Sequence, residues 1–222
     1  GKAIQNSQIG RNQIYVTSKL PGRYQKDANV YETIQESLYR LHLDYIDLYL
    51  IHWPNPKQGL FVEAWKAMIA AQKAGLIRQI GVCNFLPEHI EQLEKETGVL
   101  PVVNQIELHP YFNQKEMIQF HQQKGVLTQA WSPLGRDNGV MEEAVLRQLA
   151  EKYDKTPAQI ILKWHIQNGV MPIPKATSAQ RQQENLNVFN FYITDEDIQL
   201  INQLTKKDGR RKGQDPAVYE EF

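Results

Sequence analysis

The chain has 222 residues, of which 41% are hydrophobic, and this length and composition predict one domain with one large core. Its 25 basic and 25 acidic residues balance, so no net charge draws it to nucleic acid or to a membrane surface. The single cysteine, Cys83, excludes an internal disulfide and a cysteine-based zinc cluster, and it favours the cytoplasm as the compartment. No apolar run reaches the roughly 18 residues of a membrane span.

The N-terminal residues indicate that the chain starts inside an element. Residues 1–10, GKAIQNSQIG, have no N-cap, and Gly10 suits the position that closes a helix. Because no initiator methionine is present, we expect a preceding part to be absent from this sequence. Residues 12–20 then predict a strand that Pro21 and Gly22 end.

From there, predicted helices and strands alternate. The apolar and aromatic run that begins at Asp44 is typical of a strand covered on both faces; its last residue is His52, and Pro54 cannot continue it. The predicted strands cover residues 12–20, 44–52, 78–85, 102–108, 126–131 and 170–174. The predicted helices after the first cover residues 27–43, 61–74, 87–97, 113–124, 141–153, 156–168, 178–187 and 194–204. Their predicted end signals are Asn113 and Thr156 as N-caps, Pro87 and Pro157 as first helical residues, and Gly98 and Gly125 after the last turn. The polar tail, residues 206–222, predicts an extended surface segment.

Six strands that are each followed by a helix imply a parallel sheet with right-handed crossovers. An open doubly wound sheet could hold six strands, but no G-x-G-x-x-G sequence follows any of them. A (β/α)8 barrel closes with eight strands and typically needs about 250 residues. We therefore predict an α/β protein with a (β/α)8 TIM barrel fold in one domain, residues 1–222, whose first two strands are missing from this sequence.

Polar side chains recur at or near the predicted carboxyl ends of the strands. They are Lys19, His52, Asn84, Gln105, Ser132 and Lys175. In β/α barrels this edge carries the active site, because its loops vary while the sheet stays rigid. Each residue alone could be a solvated loop group, but the recurrence on six strands predicts a functional site.

Six motifs around these residues resemble those of the aldo-keto reductases, most closely the bacterial 2,5-diketo-D-gluconate reductases. The motifs are VTSKL with Lys19, LDYIDLYLIHWP with His52, GVCNF with Asn84, VNQIELHP with Gln105, WSPLG from Trp131, and IPKATSAQRQQEN with Lys175. The resemblance runs from Gly1 to Phe222. It implies a barrel enzyme, an NADP-dependent oxidoreductase that transfers a hydride from NADPH to an aldehyde or ketone.

The resemblance assigns Lys19 and His52 to the catalytic residues, and His52 with Trp53 to the substrate pocket. As a hydride reaches the carbonyl carbon, negative charge develops on the carbonyl oxygen, and a positioned acid must protonate it. Lys19 would stabilise the anion of the family's acid tyrosine, and His52 would orient the carbonyl. That tyrosine and the aspartate that positions the lysine precede the first helix in the family, and no matching segment occurs in this sequence.

The resemblance also implies an NADPH site. Its nicotinamide part consists of Asn84 and Gln105, which would bond the carboxamide, and Trp131, which would stack on the ring. The pyrophosphate would follow the loop of Ser132, Pro133, Leu134 and Gly135.

The remaining cofactor residues would hold the adenosine end. Lys175, Thr177 and Arg181 would bind the 2′-phosphate, and Glu184 and Asn185 would contact adenine. Ser178 opens a helix there, and amides at a helix N-terminus favour an anion. Two residues depart from the family pattern: Cys83 replaces a serine beside the carboxamide, and Ala176 replaces a serine that would reach the phosphate.

We thus predict a monomeric enzyme that reduces small carbonyl compounds or keto-sugar acids and binds neither nucleic acid nor membranes. The alternative is a non-catalytic or truncated NADP-binding fragment that lacks the catalytic tyrosine and aspartate. We predict no metal site, since the helical histidines have no paired ligands. They are His42, His89, His121 and His165.

Overall fold

Six strands and nine helices make up the part of the chain that the computed structural model describes, residues 1–211 and 213–221. The strands are β1 (Thr17–Leu20), β2 (Ile46–Ile51), β3 (Ile77–Cys83), β4 (Val103–Glu107), β5 (Leu127–Trp131) and β6 (Val170–Pro172). The helices are α1 (Lys2–Gln5), α2 (Asp27–Leu41), α3 (Phe61–Lys73), α4 (Pro87–Thr97), α5 (Lys115–Lys124), α6 (Ala144–Tyr153), α7 (Pro157–Gln167), α8 (Ala179–Leu186) and α9 (Asp195–Asn202). None of these helices is both long and apolar enough to cross a membrane.

The strands form one sheet in their order along the chain, from β1 to β6. The pairs β1 with β2, β2 with β3, and β5 with β6 are parallel. The predicted α/β fold, with strands and helices alternating on a parallel sheet, is therefore confirmed.

The chain packs as two compact units. Unit 1 is Gly1–Asn104 together with the described residues from Asp215 onward, and unit 2 is Gln105–Gln214. The interpretation of residues 1–222 as a single domain stays a prediction.

Strand β2 lies at the centre of unit 1, and five of its six residues are buried. Leu48 and Leu50 pack in one cluster with Cys83 of β3 and Val103 of β4. A Cβ atom at Gly81 of β3 would lie 2.6 Å from Val103 Cγ1 and 2.7 Å from Leu50 Cδ2, so only glycine permits this packing. The predicted doubly covered strand is confirmed, and it ends one residue before His52.

Arg11 interrupts the first half of the strand predicted over residues 12–20. Its guanidinium donates to Asp47 Oδ2 at 2.7 Å and lies 4.1 Å from the ring centroid of Tyr45. A 3-10 turn begins at Arg11, and β1 starts only at Thr17. The prediction was wrong there because a part-buried ion pair and a cation–π contact hold the backbone in the turn.

The helix ends follow the predicted capping residues at most positions. Helix α4 has Pro87 at its first turn and ends at Gly98, whose φ is 69°. Helix α7 opens with a capping box: the Thr156 side chain accepts from the Gln159 amide, and the Gln159 side chain bonds back to the Thr156 backbone. Pro157 occupies the first helical position.

Two predicted caps were wrong. The N-cap of α5 is Gln114, with a φ of 43°, rather than Asn113, whose amide Nδ2 donates to Asn202 O at 3.3 Å instead. Gly10 does not close the first helix, since α1 ends at Gln5 and Gly10 has a φ of −59°.

The core of unit 2 contains a titratable side chain, His121 of α5, which is fully buried. Its Nδ1 lies 2.8 Å from Thr128 Oγ1 on β5. Burial lowers the pKa of His121 to about 4, because the cation would lose its hydration in the core. The folded protein therefore keeps this imidazole neutral at pH 5.

This buried histidine predicts acid destabilisation. An unfolded histidine has a pKa near 6.5, so between pH 6.5 and about 4 the unfolded chain binds a proton that folded His121 does not. Stability due to His121 is present above pH 6.5 and is lost as the pH falls. From pH 7 to pH 5 the free energy of unfolding should fall by about 2 kcal/mol more in the wild type than in His121→Gln. Urea unfolding at both pH values measures the difference, and equal losses in the two proteins would contradict it.

Candidate active site

His52 is held by its backbone at the carboxyl end of β2. Its amide donates to Leu20 O of β1 at 3.0 Å, and its carbonyl accepts from Asn84 Nδ2 at 3.0 Å. Asn84 follows β3 in the left-handed region, with a φ of 60°, which asparagine tolerates better than most residues. The side chain of His52 keeps 36% of its surface exposed, so the sheet presents a fixed imidazole at its edge.

The carboxylate of Glu221 lies against this imidazole. Glu221 Oε1 is 2.6 Å from His52 Nδ1, and Glu221 Oε2 accepts from the Gly22 amide at 2.8 Å. The Asn55 side chain pairs with the backbone of Glu221, donating to its carbonyl and accepting from its amide, both at 3.0 Å. The prediction of a surface tail over residues 206–222 is therefore wrong at Glu221; Lys212 and Phe222 of that range lie outside the described residues.

Glu221 is a carboxylate at neutral pH in these surroundings. Burial alone would raise its pKa, but hydrogen bonds from His52 and the Gly22 amide, with the charges of His52 and Lys19, lower the pKa below its ordinary value. Lys19 also hydrogen-bonds the thiol of Cys83. Burial raises the pKa of Cys83 to about 11 even though Lys19 opposes the shift, so the thiol stays protonated.

Trp53 is packed rather than open to solvent, with 5% of its surface exposed. Its ring centroid lies 4.4 Å from that of Tyr219 in the tail and 6.3 Å from that of His52. Its carbonyl accepts from the buried Gln25 side chain at 2.6 Å. Unit 1 therefore brings Lys19 and Trp53 to the same strand edge as His52.

In unit 2 the predicted pyrophosphate loop is a tight turn after β5. Ser132 and Gly135 have φ values of 50° and 74°, and the Gly135 amide donates to Ser132 O at 2.8 Å. Fully buried His165 of α7 supports the turn through Nε2, which lies 3.1 Å from Pro133 O. Burial lowers the pKa of His165 to about 3, so the ring is neutral and donates this hydrogen bond. Helical spacing alone gave no sign of this role.

A cavity of about 420 Å³ is lined by this loop and by the segment after β6. Its lining residues are Ser132, Pro133, Leu134, Arg136, Ile173, Pro174 and Lys175. Two of them, Arg136 and Lys175, are basic, so the cavity suits an anionic group. Arg136 was missed in the sequence, although it directly follows the WSPLG motif.

The other predicted adenosine residues have varied surroundings. Thr177 and Arg181 are exposed, and Ser178 caps α8 by accepting from the Arg181 amide at 3.3 Å, as predicted. Glu184 Oε1 accepts from Thr156 Oγ1 at 2.5 Å, which ties α8 to the start of α7. Asn185 lines a different, apolar groove.

Trp131 is the last residue of β5, whereas Gln105 is the middle residue of β4, two positions before the end of that strand. Gln105 is buried, and its Nε2 donates to Gln129 Oε1 at 3.1 Å. A ligand amide at Gln105 would therefore meet a side chain whose orientation is already fixed. Among residues 1–211 and 213–221, no group of three or more His, Cys, Asp or Glu side chains could hold a metal ion.

A parallel α/β sheet with polar side chains at its carboxyl edge is the scaffold of a barrel-type enzyme, and comparison with known proteins gives its family. The model of the Aldo/keto reductase family matches residues 1–206. The 2,5-diketo-D-gluconic acid reductase B of Corynebacterium is 45% identical over all of this chain and 79% of its own length. Methylglyoxal reductase DkgA of Escherichia coli is 44% identical over 99% of this chain and 78% of its own length.

Solved structures agree. A Gox0644 mutant in complex with NADPH has a TM-score of 0.92 and 42% identity over 99% of this chain and 79% of its own. The Bombyx mori aldo-keto reductase in complex with NADP has a TM-score of 0.89 and 36% identity over 100% of this chain and 77% of its own. The chain belongs to the aldo/keto reductase family. It is an oxidoreductase.

The loop after β5 offers a stability test at Gly135. A Cβ atom there would lie 2.2 Å from Asn138 Oδ1, which accepts from the Val140 amide, and the φ of 74° adds backbone strain. Gly139 is the matched control, because its φ is 82° and no atom lies within 4 Å of a Cβ placed there. Gly139→Ala should cost about 1–2 kcal/mol of stability from the left-handed backbone alone. Gly135→Ala should cost about 1 kcal/mol more, because Asn138 must give up a hydrogen bond.

Urea unfolding of both variants checks this difference. Equal losses in the free energy of unfolding for the two substitutions would show that the contact with Asn138 adds nothing to the cost of Gly135→Ala.

Proposed function

We propose that the protein reduces aldehydes or ketones with NADPH, a hydride going to the carbonyl carbon while the carbonyl oxygen is protonated. NADPH, when bound, supplies the hydride. The observation that carries the proposal is a half-exposed imidazole, His52, fixed at the carboxyl end of a buried strand in a chain of the aldo/keto reductase family. The NADPH and NADP complexes of similar structures support the choice of cofactor.

His52 and Lys19 are the proposed catalytic residues of this chain. His52 would hydrogen-bond the carbonyl oxygen and fix its orientation, so that developing negative charge meets a donor already in place. Lys19 would provide a positive charge that stabilises the anion of the family's acid tyrosine, the proton donor to the carbonyl oxygen, for which this sequence contains no matching segment. Its electrostatic influence reaches both Glu221 and Cys83, so it belongs to the same edge of unit 1 as His52. Trp53 would form a wall of the substrate pocket.

The cavity of unit 2 fits the anionic part of the proposed cofactor. Lys175 and Arg136 place two positive charges in the cavity lining, and the turn that begins at Ser132 lines the same cavity. The remaining proposed residues would bind the other parts of the cofactor: the nicotinamide by Asn84, Gln105 and Trp131, the pyrophosphate by Pro133 and Leu134, the 2′-phosphate by Thr177 and Arg181, and adenine by Glu184 and Asn185.

We further propose small carbonyl compounds, including keto-sugar acids, as substrates. Two similar proteins are named for such compounds, a 2,5-diketo-D-gluconic acid reductase and a methylglyoxal reductase. The family model matches residues 1–206 as one stretch, which supports our proposal that residues 1–222 act as one functional domain.

Substitution of Lys19 tests the proposal. Lys19→Met should lower kcat for NADPH oxidation by methylglyoxal about 100-fold or more, the scale of acid–base assistance, while NADPH binding is retained. Lys66→Met is the matched control, since Lys66 is an exposed residue of α3 in the same unit, and its kcat should equal that of the wild type.

The measurements are the loss of NADPH absorbance and a fluorescence titration of NADPH. If the wild-type chain bound NADPH but reduced neither methylglyoxal nor 2,5-diketo-gluconate, the reductase proposal would fail, and a non-catalytic nucleotide-binding protein would remain.

A further inference from the structure

The tail carboxylate of Glu221 occupies a built site in unit 1. Both of its oxygens accept hydrogen bonds, from His52 Nδ1 and from the Gly22 amide, and its backbone is held twice by the Asn55 side chain. Asn55 is fully buried with a φ of 48°. The chain therefore fixes Glu221 through four hydrogen bonds, three of which do not involve His52.

Gly22 shows that this arrangement depends on the sequence. A Cβ atom at Gly22 would lie 2.3 Å from Asn55 Nδ2 and 2.6 Å from Glu221 O. Any side chain there would push the tail away from His52. Since Gly22 also donates its amide to Glu221, one residue provides both the space and a hydrogen bond for the carboxylate.

We propose that Glu221 is a positioning residue that keeps a proton on Nδ1 of His52, so that His52 donates a hydrogen bond from Nε2 only as the imidazolium. A carboxylate oxygen can only accept a hydrogen bond. His52 Nδ1, which lies 2.6 Å from Glu221 Oε1, must therefore carry the proton of this hydrogen bond. A neutral imidazole carries one proton; with that proton on Nδ1, Nε2 is an acceptor and cannot donate to a carbonyl oxygen.

This inference rests on the proposed function, because it explains how His52 would meet a carbonyl oxygen. The imidazolium–carboxylate pair presents Nε2–H to the substrate, and Glu221 balances the positive charge on the ring. His52 would then supply a charged hydrogen-bond donor, which stabilises negative charge on oxygen more strongly than a neutral donor does.

The other titratable groups near the pair do not replace Glu221. Lys19 has no acceptor for a hydrogen bond from Nδ1, and the Cys83 thiol, which stays protonated because burial raises its pKa to about 11, is only a weak acceptor. The neighbouring tail residue, Glu220, is engaged elsewhere, accepting from the Lys57 amide at 2.7 Å and from Gln58 Nε2 at 3.2 Å. Glu220 thus offers a control for loss of a tail contact that does not touch His52.

The first test is spectroscopic and does not depend on catalysis. Two-bond proton–nitrogen correlation spectra of the ¹⁵N-labelled protein distinguish the two neutral forms of an imidazole, and His52→Asn assigns the signal of His52. We expect neutral His52 to carry its proton on Nδ1 in the wild type and in Glu220→Ala. In Glu221→Ala a large fraction should carry it on Nε2. A proton on Nε2 in the wild type, or no change in Glu221→Ala, would overturn the proposal.

The second test measures turnover of methylglyoxal with NADPH. Glu221→Ala should lower kcat about tenfold, the scale of one charge-assisted hydrogen bond, with unchanged affinity for NADPH, while Glu220→Ala keeps the wild-type kcat. A rise in kcat in Glu221→Ala would overturn the proposal, because the tail carboxylate would then compete with the substrate. If the wild type reduces no carbonyl compound, the proposed function fails by itself, and the spectra still decide the role of Glu221.

Discussion

A parallel strand that is covered on both faces can expose a polar side chain only near its ends, and this constraint organises the candidate site. Strand β2 buries five of its six residues, so the chain reaches solvent at His52. Polar residues placed earlier in the strand would lose their hydration in the core. Asn84 follows β3 for the same reason, and its side chain bonds the carbonyl of His52. The sheet thus fixes the positions of the catalytic candidates before any ligand contributes.

The tail adds what the strand edge lacks, a charge partner for the imidazole. A half-exposed histidine beside a carboxylate gains a fixed orientation only if the carboxylate itself is fixed. Asn55 and Gly22 provide that support for Glu221 through hydrogen bonds at 2.8–3.0 Å. In unit 2 the same principle operates at the loop after β5, where a buried neutral histidine, His165, holds the carbonyl of Pro133.

The sequence predicted those features that short-range chemistry determines. The doubly buried pattern of β2 and the capping residues Thr156 and Pro157 of α7 predicted elements that the structure contains. Prediction failed where contacts between residues far apart in the sequence determine the local structure. Glu221 is 169 residues from His52 along the chain, and its polar neighbours are typical of a solvated tail. Tyr15, expected inside a strand, is 60% exposed, because the contacts of Arg11 delay the start of β1.

If the chain reduces a carbonyl compound by direct hydride transfer, the hydrogen from C4 of NADPH must appear on the product, and isotope labelling detects it. The chain would be incubated with methylglyoxal and NADPH that carries deuterium at both C4 positions, and the product would be analysed by mass spectrometry. Direct hydride transfer predicts an alcohol with one deuterium on the former carbonyl carbon. Product without deuterium at that carbon, or no product while NADPH binds, would contradict it.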